Sequence, residues 1–261
     1  MSRQLTSGVL GRKISVVSQP EFIILVNTAL AGSASDTIQL PIGGVDMTID
    51  WGDGTIDTGV TQTATPESSN WITHIYSVGG IYQIKISGGL TQVYYRLEGD
   101  RLKIIDIQNW GVAVWETFLF AYFGCNNMFC TAKDTPNLTN VTNFRGAFNQ
   151  ARMFNPPNIS NWDVSNITNM LDALRNTDDF NQDISNWDVS NVTNMNSMFR
   201  QASSFNQDLS GWCVEKIASR PNDFDLEANS WVYNTNGDTG DTDGVDPATI
   251  INRPIWGTCP Q

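Results

Sequence analysis

Ile159-Ser-Asn-Trp162-Asp-Val164-Ser-Asn-Ile167-Thr-Asn-Met170 returns as Ile184-Ser-Asn-Trp187-Asp-Val189-Ser-Asn-Val192-Thr-Asn-Met195, and begins again at Leu209-Ser-Gly-Trp212-Cys-Val214. Trp162, Trp187 and Trp212 fall 25 residues apart. The linking stretch recurs as well, as Phe180-Asn-Gln-Asp183 and Phe205-Asn-Gln-Asp208, while Phe148 and Ala151 stand where Phe199 and Ala202 stand one copy later. Further back, Leu138-Thr-Asn-Val141-Thr-Asn-Phe144 matches the second half of the unit and Ile107-Gln-Asn-Trp110 the first. The chain therefore carries three clear turns of a repeat and one divergent turn. Units of this size cannot bury an apolar face alone, so they must stack.

A period of 25 lies within the range of leucine-rich repeats, and Ile184-x-x-Trp187-x-Val189-x-x-Val192 follows their apolar spacing with larger residues. This predicts a leucine-rich-repeat-like solenoid with one short strand per turn. At Trp187-Asp188-Val189 the alternation points Trp187 and Val189 inward and Asp188 outward, with Asp163 one rung away. Met195, Met198 and Phe199 are expected to close the opposite side, on helix or 3₁₀ turns. Asn166 with Asn191, and Asn169 with Asn194, predict a stacked amide ladder serving the turn backbone. Sequons at Asn137, Asn140, Asn158, Asn166 and Asn191 are products of the repeat and read as structural. If the array has a recognition surface, it is expected on the outward residues Asp163, Ser165, Asp188 and Ser190.

The N-terminal part has a different grain. Phe22 to Val26, Thr37 to Leu40, Val45 to Trp51, Trp71 to Tyr76 and Ile81 to Ser87 are β-rich runs separated by Gly, Pro, Asn and Asp clusters, the pattern of an all-β sandwich. Ile49-Asp50-Trp51-Gly52-Asp53-Gly54-Thr55 ends one run in a tight turn. His74-Ile-Tyr76 and Gly80-Ile-Tyr82 follow about twenty residues on. The expected fold is mainly β: an arm at 1–20, a PKD- or immunoglobulin-like sandwich at 21–90, a solenoid at 91–212 and a C-terminal cap at 213–261. The change of architecture is expected between Gly88 and Gly99.

Two resemblances rest on these residues. The Trp51 to Thr55 turn, with His74-x-Tyr76 and Gly80-x-Tyr82, resembles the PKD domain, a β-sandwich common in extracellular and adhesive proteins. The repeats from about Gly99 to the end resemble the BspA-like leucine-rich-repeat surface proteins, and the Asn-Trp-Asp-Val-Ser-Asn-Val-Thr-Asn-Met string is close to diagnostic of them. Gly211-Trp-Cys213 and Trp256-Gly-Thr-Cys259-Pro are similar to that family's C-terminal cap. The resemblance implies surface display and binding, and it brings no catalytic residues. With Cys213 on the last repeat and Cys259 in a segment folding back over it, a disulfide is expected to staple the open end.

Composition narrows the partners. A net charge of −12 repels phosphate backbones and anionic headgroups, so neither nucleic acid nor a membrane surface is expected. The first residues show no signal-peptide pattern, which departs from the surface-protein resemblance and turns the reading towards a phage particle, where repeats of this kind also occur. His74 is the only histidine, and no nucleophile motif accompanies it. Asp50, Asp53 and Asp57 cluster in sequence, but a glycine turn accounts for Asp53 without catalysis. Cys125, Cys130, Cys213 and Cys259 fit no zinc spacing; Cys125 and Cys130 are expected buried. No cofactor is expected. Calcium is the alternative to a plain solvated insertion in the loop from Asn234 to Asp246, whose carboxylates alternate around glycines.

The function expected is that of a non-enzymatic structural and binding protein on the exterior of a phage particle, as capsid decoration or a tail or fibre component. The arm and sandwich would hold other virion proteins in a multimeric assembly, and the solenoid would face outward towards a host-surface ligand. The alternative is a bacterial cell-surface adhesin, and the third class is a carbohydrate-active enzyme module.

Overall fold

A computed structural model of the chain describes residues 20–63, 70–231 and 252–260. The expected arm before Pro20 and the calcium-candidate loop from Asn234 to Asp246 lie outside the described residues. The fold is mainly β, with eight strands: β1 (Phe22–Asn27), β2 (Thr37–Leu40), β3 (Ile42–Asp50), β4 (Ile56–Gln62), β5 (Ile72–Ile75), β6 (Ile81–Val93), β7 (Ile104–Asn109) and β8 (Phe129–Cys130). Six form one sheet in the order β4-β3-β6-β1-β7-β8, and β2 pairs antiparallel with β5 apart from it.

β1 is central because it alternates cleanly. Phe22, Ile24 and Val26 are buried while Ile23, Leu25 and Asn27 are half-buried, so one face meets the core and both edges stay free for pairing. It pairs antiparallel with β6 on one side and β7 on the other. β6 runs through Gly88 and Gly89 to Val93, inside the stretch where the sequence places a change of architecture. The glycines let it continue: a Cβ on Gly88, at φ +87°, would lie 2.4 Å from the Asp46 carbonyl oxygen. β7, from beyond that stretch, returns to the same sheet. β8 then pairs with β7 in parallel, so the sheet changes sense where the repeats begin.

Beyond β8 the 25-residue units bond to one another in parallel register. Isolated bridges join Asn143 to Asn169 and Asn169 to Asn194. The Phe144 and Met170 N–H groups donate to the Asn169 and Asn194 carbonyls, both at 2.8 Å. The expected strand at Trp187-Asp188-Val189 is not formed. Trp187 and Val189 are buried and Asp188 is exposed, as the alternation requires, but the Asp188–Ser190 turn ends the extended run, and pairing falls at Asn169 and Asn194 instead.

The expected helix or 3₁₀ turns at Met195 to Phe199 are also replaced. Each unit carries two left-handed residues four apart: Phe120 and Gly124, Gly146 and Gln150, Asp172 and Asn176, Ser197 and Gln201, Asp223 and Glu227. A helix would direct its N–H groups back along itself. Here the left-handed residues aim theirs at the next unit: Asp172 to the Asn196 carbonyl at 3.0 Å, Asn176 to Arg200 at 2.9 Å, Ser197 to Asn222 at 2.9 Å and Gln201 to Leu226 at 2.8 Å. Left-handed backbone at a non-glycine residue costs about 1–2 kcal/mol, and these bonds offset it.

The interior is a column of aromatic and sulfur side chains. Phe118 stacks on Phe144, Tyr122 on Phe148, Phe148 on Phe154, and Phe180 on Phe205. Met170, Met195 and Met198 are wholly buried among them. The Trp187 and Trp212 indoles donate across to the Ile159 and Ile184 carbonyls of the preceding unit, at 2.9 and 3.0 Å. The asparagine ladder exists in a different form: Asn166 and Asn191 donate to the Thr139 and Ser165 carbonyls of the unit before, while Asn169 and Asn194 accept from N–H groups two residues on.

One ion pair lies inside the N-terminal part. Lys103 is fully buried, and its ammonium donates to the carbonyls of Ser33 (3.1 Å), Ala34 (2.9 Å) and Thr37 (2.8 Å) and to the Ser33 hydroxyl (2.9 Å), with Asp100 Oδ1 at 3.6 Å. Asp100 accepts from the Ser33 and Gln39 N–H groups and the Ser33 hydroxyl. The pair thereby ties the 33–36 loop and the start of β2 to the turn before β7. Asp100→Ala is expected to lower the unfolding free energy by about 3–5 kcal/mol, because it strands a buried charge. Breaking the exposed Arg152–Asp178 pair is expected to cost less than about 1 kcal/mol. Urea titration of both variants distinguishes the two, and equal losses would contradict the assignment.

Candidate functional site

The turn after β3 brings together most of the residues that sequence singles out for chemistry. Gly52 and Gly54, at φ +80° and +93°, fold it back. Asp50 Oδ1 accepts from the Gly52 N–H at 3.0 Å, and Asp53 Oδ1 accepts from the Thr55 N–H at 2.9 Å and its hydroxyl at 2.6 Å. The second Asp53 oxygen lies 2.9 Å from His74 Nε2. His74 comes from β5, in the other sheet. Its ring stacks flat on Trp51 at 4.5 Å and meets Tyr76 edge-on. Tyr76 in turn stacks on Tyr82 and donates its hydroxyl to the Trp51 carbonyl at 3.0 Å. Asp57 accepts from the Trp51 indole at 2.9 Å.

Each of the three carboxylates therefore has a separate structural partner, and the cluster clamps β5 to the end of β3. Partial burial opposes the charge on Asp53, but hydrogen bonds from Thr55 and His74 outweigh it and hold the carboxyl at about 2, down from 3.8. Such a carboxylate is ionised at neutral pH and a weak base, poorly matched to proton transfer there. Burial, with the Asp53 charge nearby, holds the Tyr76 phenol above its usual range.

On the outer face of the repeats, Asp163 and Asp188 occupy equivalent exposed positions. Asp163 Oδ1 accepts from the Ser165 N–H (3.1 Å) and hydroxyl (2.6 Å), and Asp188 Oδ1 does the same with Ser190 at 3.0 and 2.6 Å. These bonds hold Asp188 below the usual carboxylate range, and Ser185 does the same for Asp183. The structure thus pairs Asp163 with Ser165 and Asp188 with Ser190, one pair per unit. The other oxygen of each aspartate has no partner among the described residues.

Cys213 and Cys259 are joined by a disulfide. Around it, residues 252–260 cover the last unit: the Leu209 N–H donates to the Asn252 carbonyl at 3.0 Å and the Val214 N–H to the Thr258 carbonyl at 2.8 Å. Below them Asp225, buried, accepts from Arg253 Nε at 2.8 Å and from Arg220, while the Arg253 guanidinium lies 3.8 Å over the Trp231 ring. Cys125 and Cys130 are buried free thiols; burial pushes Cys125 well up and Cys130 to about 12. Among the described residues no group of three or more His, Cys, Asp or Glu side chains could hold a metal ion. No helix among them is long and apolar enough to cross a membrane. The sequence reading missed Phe129 and Lys133, which border an open cleft at the first junction between units; a lone phenylalanine at a degenerate repeat position reads as core.

Residues 117–234 match the family described as "Mycoplasma protein of unknown function, DUF285", a match spanning less than half of the chain. No curated protein and no solved structure matches the chain.

Two measurements follow from this geometry. Because the folded Asp53 carboxyl titrates at about 2, below its unfolded value of 3.8, its stabilisation is present above the unfolded value and is lost as pH falls towards 2. The difference in thermal midpoint between the wild type and Asp53→Asn is therefore expected to be largest above pH 5 and to shrink towards pH 2; a constant gap would reject the linkage. Replacing Cys213 and Cys259 together with serine opens a loop of sequence separation 46 and is expected to cost about 4 kcal/mol. Guanidinium unfolding with and without reductant reads this, and the reductant should leave the double variant unchanged.

Proposed function

We propose that the chain is a non-enzymatic structural and binding protein displayed on an exterior surface, in the first place that of a phage particle, as capsid decoration or a tail or fibre component. On this reading the N-terminal strands are a PKD-like sandwich that anchors the chain, and the units behind them are a leucine-rich-repeat-like solenoid closed by the cap. The observation that carries it is the disposition of polar groups. His74 and the carboxylates around it are consumed in a clamp between sheets, while the repeats spend their amides and hydroxyls on stacking and present a regular outer face. Such an arrangement supports rigidity and a wide contact surface rather than turnover. Asp163, Ser165, Asp188 and Ser190 belong to the contact strip on this proposal, through the aspartate oxygens that the turns leave over.

A second reading, a bacterial cell-surface adhesin, has one observation in its favour: the repeats match a family described from Mycoplasma.

Location separates the two. On the particle reading, mass spectrometry of purified source virions recovers the chain at a copy number fitting capsid or tail symmetry. Its absence from particles, with release from intact cells by surface proteolysis, would replace that reading with the adhesin.

A further inference from the structure

Successive units are clamped to one another at a recurring place, and at one junction the clamp is missing. The Asn181 N–H and the Gln182 amide both donate to Asn155 Oδ1, at 3.1 and 2.9 Å. One unit on, the Asn206 N–H and the Gln207 amide both donate to Asn181 Oδ1, at 2.9 and 2.7 Å. A backbone bond accompanies each clamp: the Asp179 N–H to the Arg152 carbonyl, and the Ser204 N–H to the Asp178 carbonyl.

The register one unit earlier is fixed by the preceding core residue. The N–H groups of Met128, Phe154, Phe180 and Phe205 all turn back to the carbonyl three residues before them. Phe129 therefore stands at the place of Asn155 and Asn181, and Pro156 at the place of Gln182 and Gln207. An aromatic ring cannot accept as the carboxamide does, and proline has no amide to give. Neither half of the clamp forms, and the N–H groups of Met153 and Asn155 have no partner among the described residues. A cleft of about 560 Å³ opens beside this junction and continues along the later units, bordered by Phe129, Lys133, Met153, Asn155, Asp179 and Ser204.

The lining of the cleft is both apolar and charged. Phe129 is 46% and Met153 37% exposed. Lys133 belongs to the first unit and Asp179 to the third, and neither side chain makes an ion pair or hydrogen bond among the described residues. We propose that the cleft binds an extended peptide segment of a partner protein, with an apolar side chain on Phe129 and Met153, a carboxylate at Lys133 and a cationic side chain at Asp179. The Met153 and Asn155 N–H groups, left to water in the free chain, are available to carbonyl acceptors such as a peptide backbone supplies, and the short strand β8 borders the same opening. This gives a partner class to the binding role proposed above, and it stands without either location, so the two fail separately.

The test is a titration of the full ¹⁵N-labelled chain with an acetylated, amidated tripeptide of glutamate, phenylalanine and lysine. Saturable shifts centred on the Met153 and Asn155 amides are expected, and alanine in place of the phenylalanine should weaken binding by about tenfold. Phe129→Asn restores the missing acceptor; it should abolish binding while leaving the thermal midpoint unchanged or raised. Met153→Glu and Lys133→Glu, which perturb no stacked group, should each weaken binding severalfold. The proposal is overturned by absence of saturation at millimolar peptide, by equal affinity in Phe129→Asn, or by shifts that follow a simple sugar instead of the peptide. Self-association that Phe129→Asn removes in sedimentation would likewise overturn it, by making a second copy the occupant.

Discussion

A unit of about 25 residues without a helix leaves many of its backbone N–H groups pointing along the stack, and the neighbouring unit must accept them. The left-handed pairs Asp172 with Asn176 and Ser197 with Gln201 exist to aim those groups. The repeated polar residues complete the task. Asn166 and Asn191 donate amides across, and the hydroxyls of Thr168 and Thr193 reach the Thr142 and Thr168 carbonyls beside the backbone bonds of the same residues. Trp187 and Trp212 fill the column with their rings while their indole N–H groups serve the same cross-unit bonding. Stability therefore depends on neighbours, and each unit is as sound as the two it touches.

That dependence makes the two ends the critical places. At the first, the repeat does not begin abruptly: β7 is antiparallel to β1 and parallel to β8, so one strand is at once part of the sheet and the template for the first unit. At the other end the N–H groups of Leu209 and Val214 donate to carbonyls of residues 252–260, and the disulfide and the buried Asp225–Arg253 pair fix that segment in place. The buried Lys103–Asp100 pair does comparable work in the N-terminal part, where the ammonium adds a donor to the Ala34 and Thr37 carbonyls ahead of β2.

What the sequence revealed and what it hid follow from the same physics. The Trp162, Trp187 and Trp212 spacing and the Trp51 to Thr55 turn are local patterns and could be read directly. β4 was missed because Ile56–Gln62 is an exposed edge with no apolar alternation to show it. In the clearer repeats the left-handed positions were missed because Asp172, Asn176, Ser197 and Gln201 fill them rather than glycine. Lys103 and Asp100 look like surface residues until the carbonyls of the distant 33–37 segment are in view. Within the candidate site, the neighbours of His74 were legible as a motif, but its stacking on Trp51 was not, since it crosses between sheets. The turns at Asp163 and Asp188 read as outward residues, which they are, although the serine two places on already engages half of each carboxylate.

A repeat whose polar groups are largely spent on its own stacking has little left with which to distinguish one partner from another. On the proposed binding role, the places where the repeat is broken are those that differ from one unit to the next. Phe129 and Pro156 break it together, at adjacent units, in the two positions that form one clamp in the next two junctions. A single loss would leave a weakened contact; the pair leaves an exposed aromatic ring beside backbone donors that no neighbouring unit takes among the described residues. The charges that border the cleft, Lys133 and Asp179, lie on different units, so their separation is set by the stack. The rigidity that the repeat spends its polar groups to obtain is thus what holds the geometry of this irregular junction.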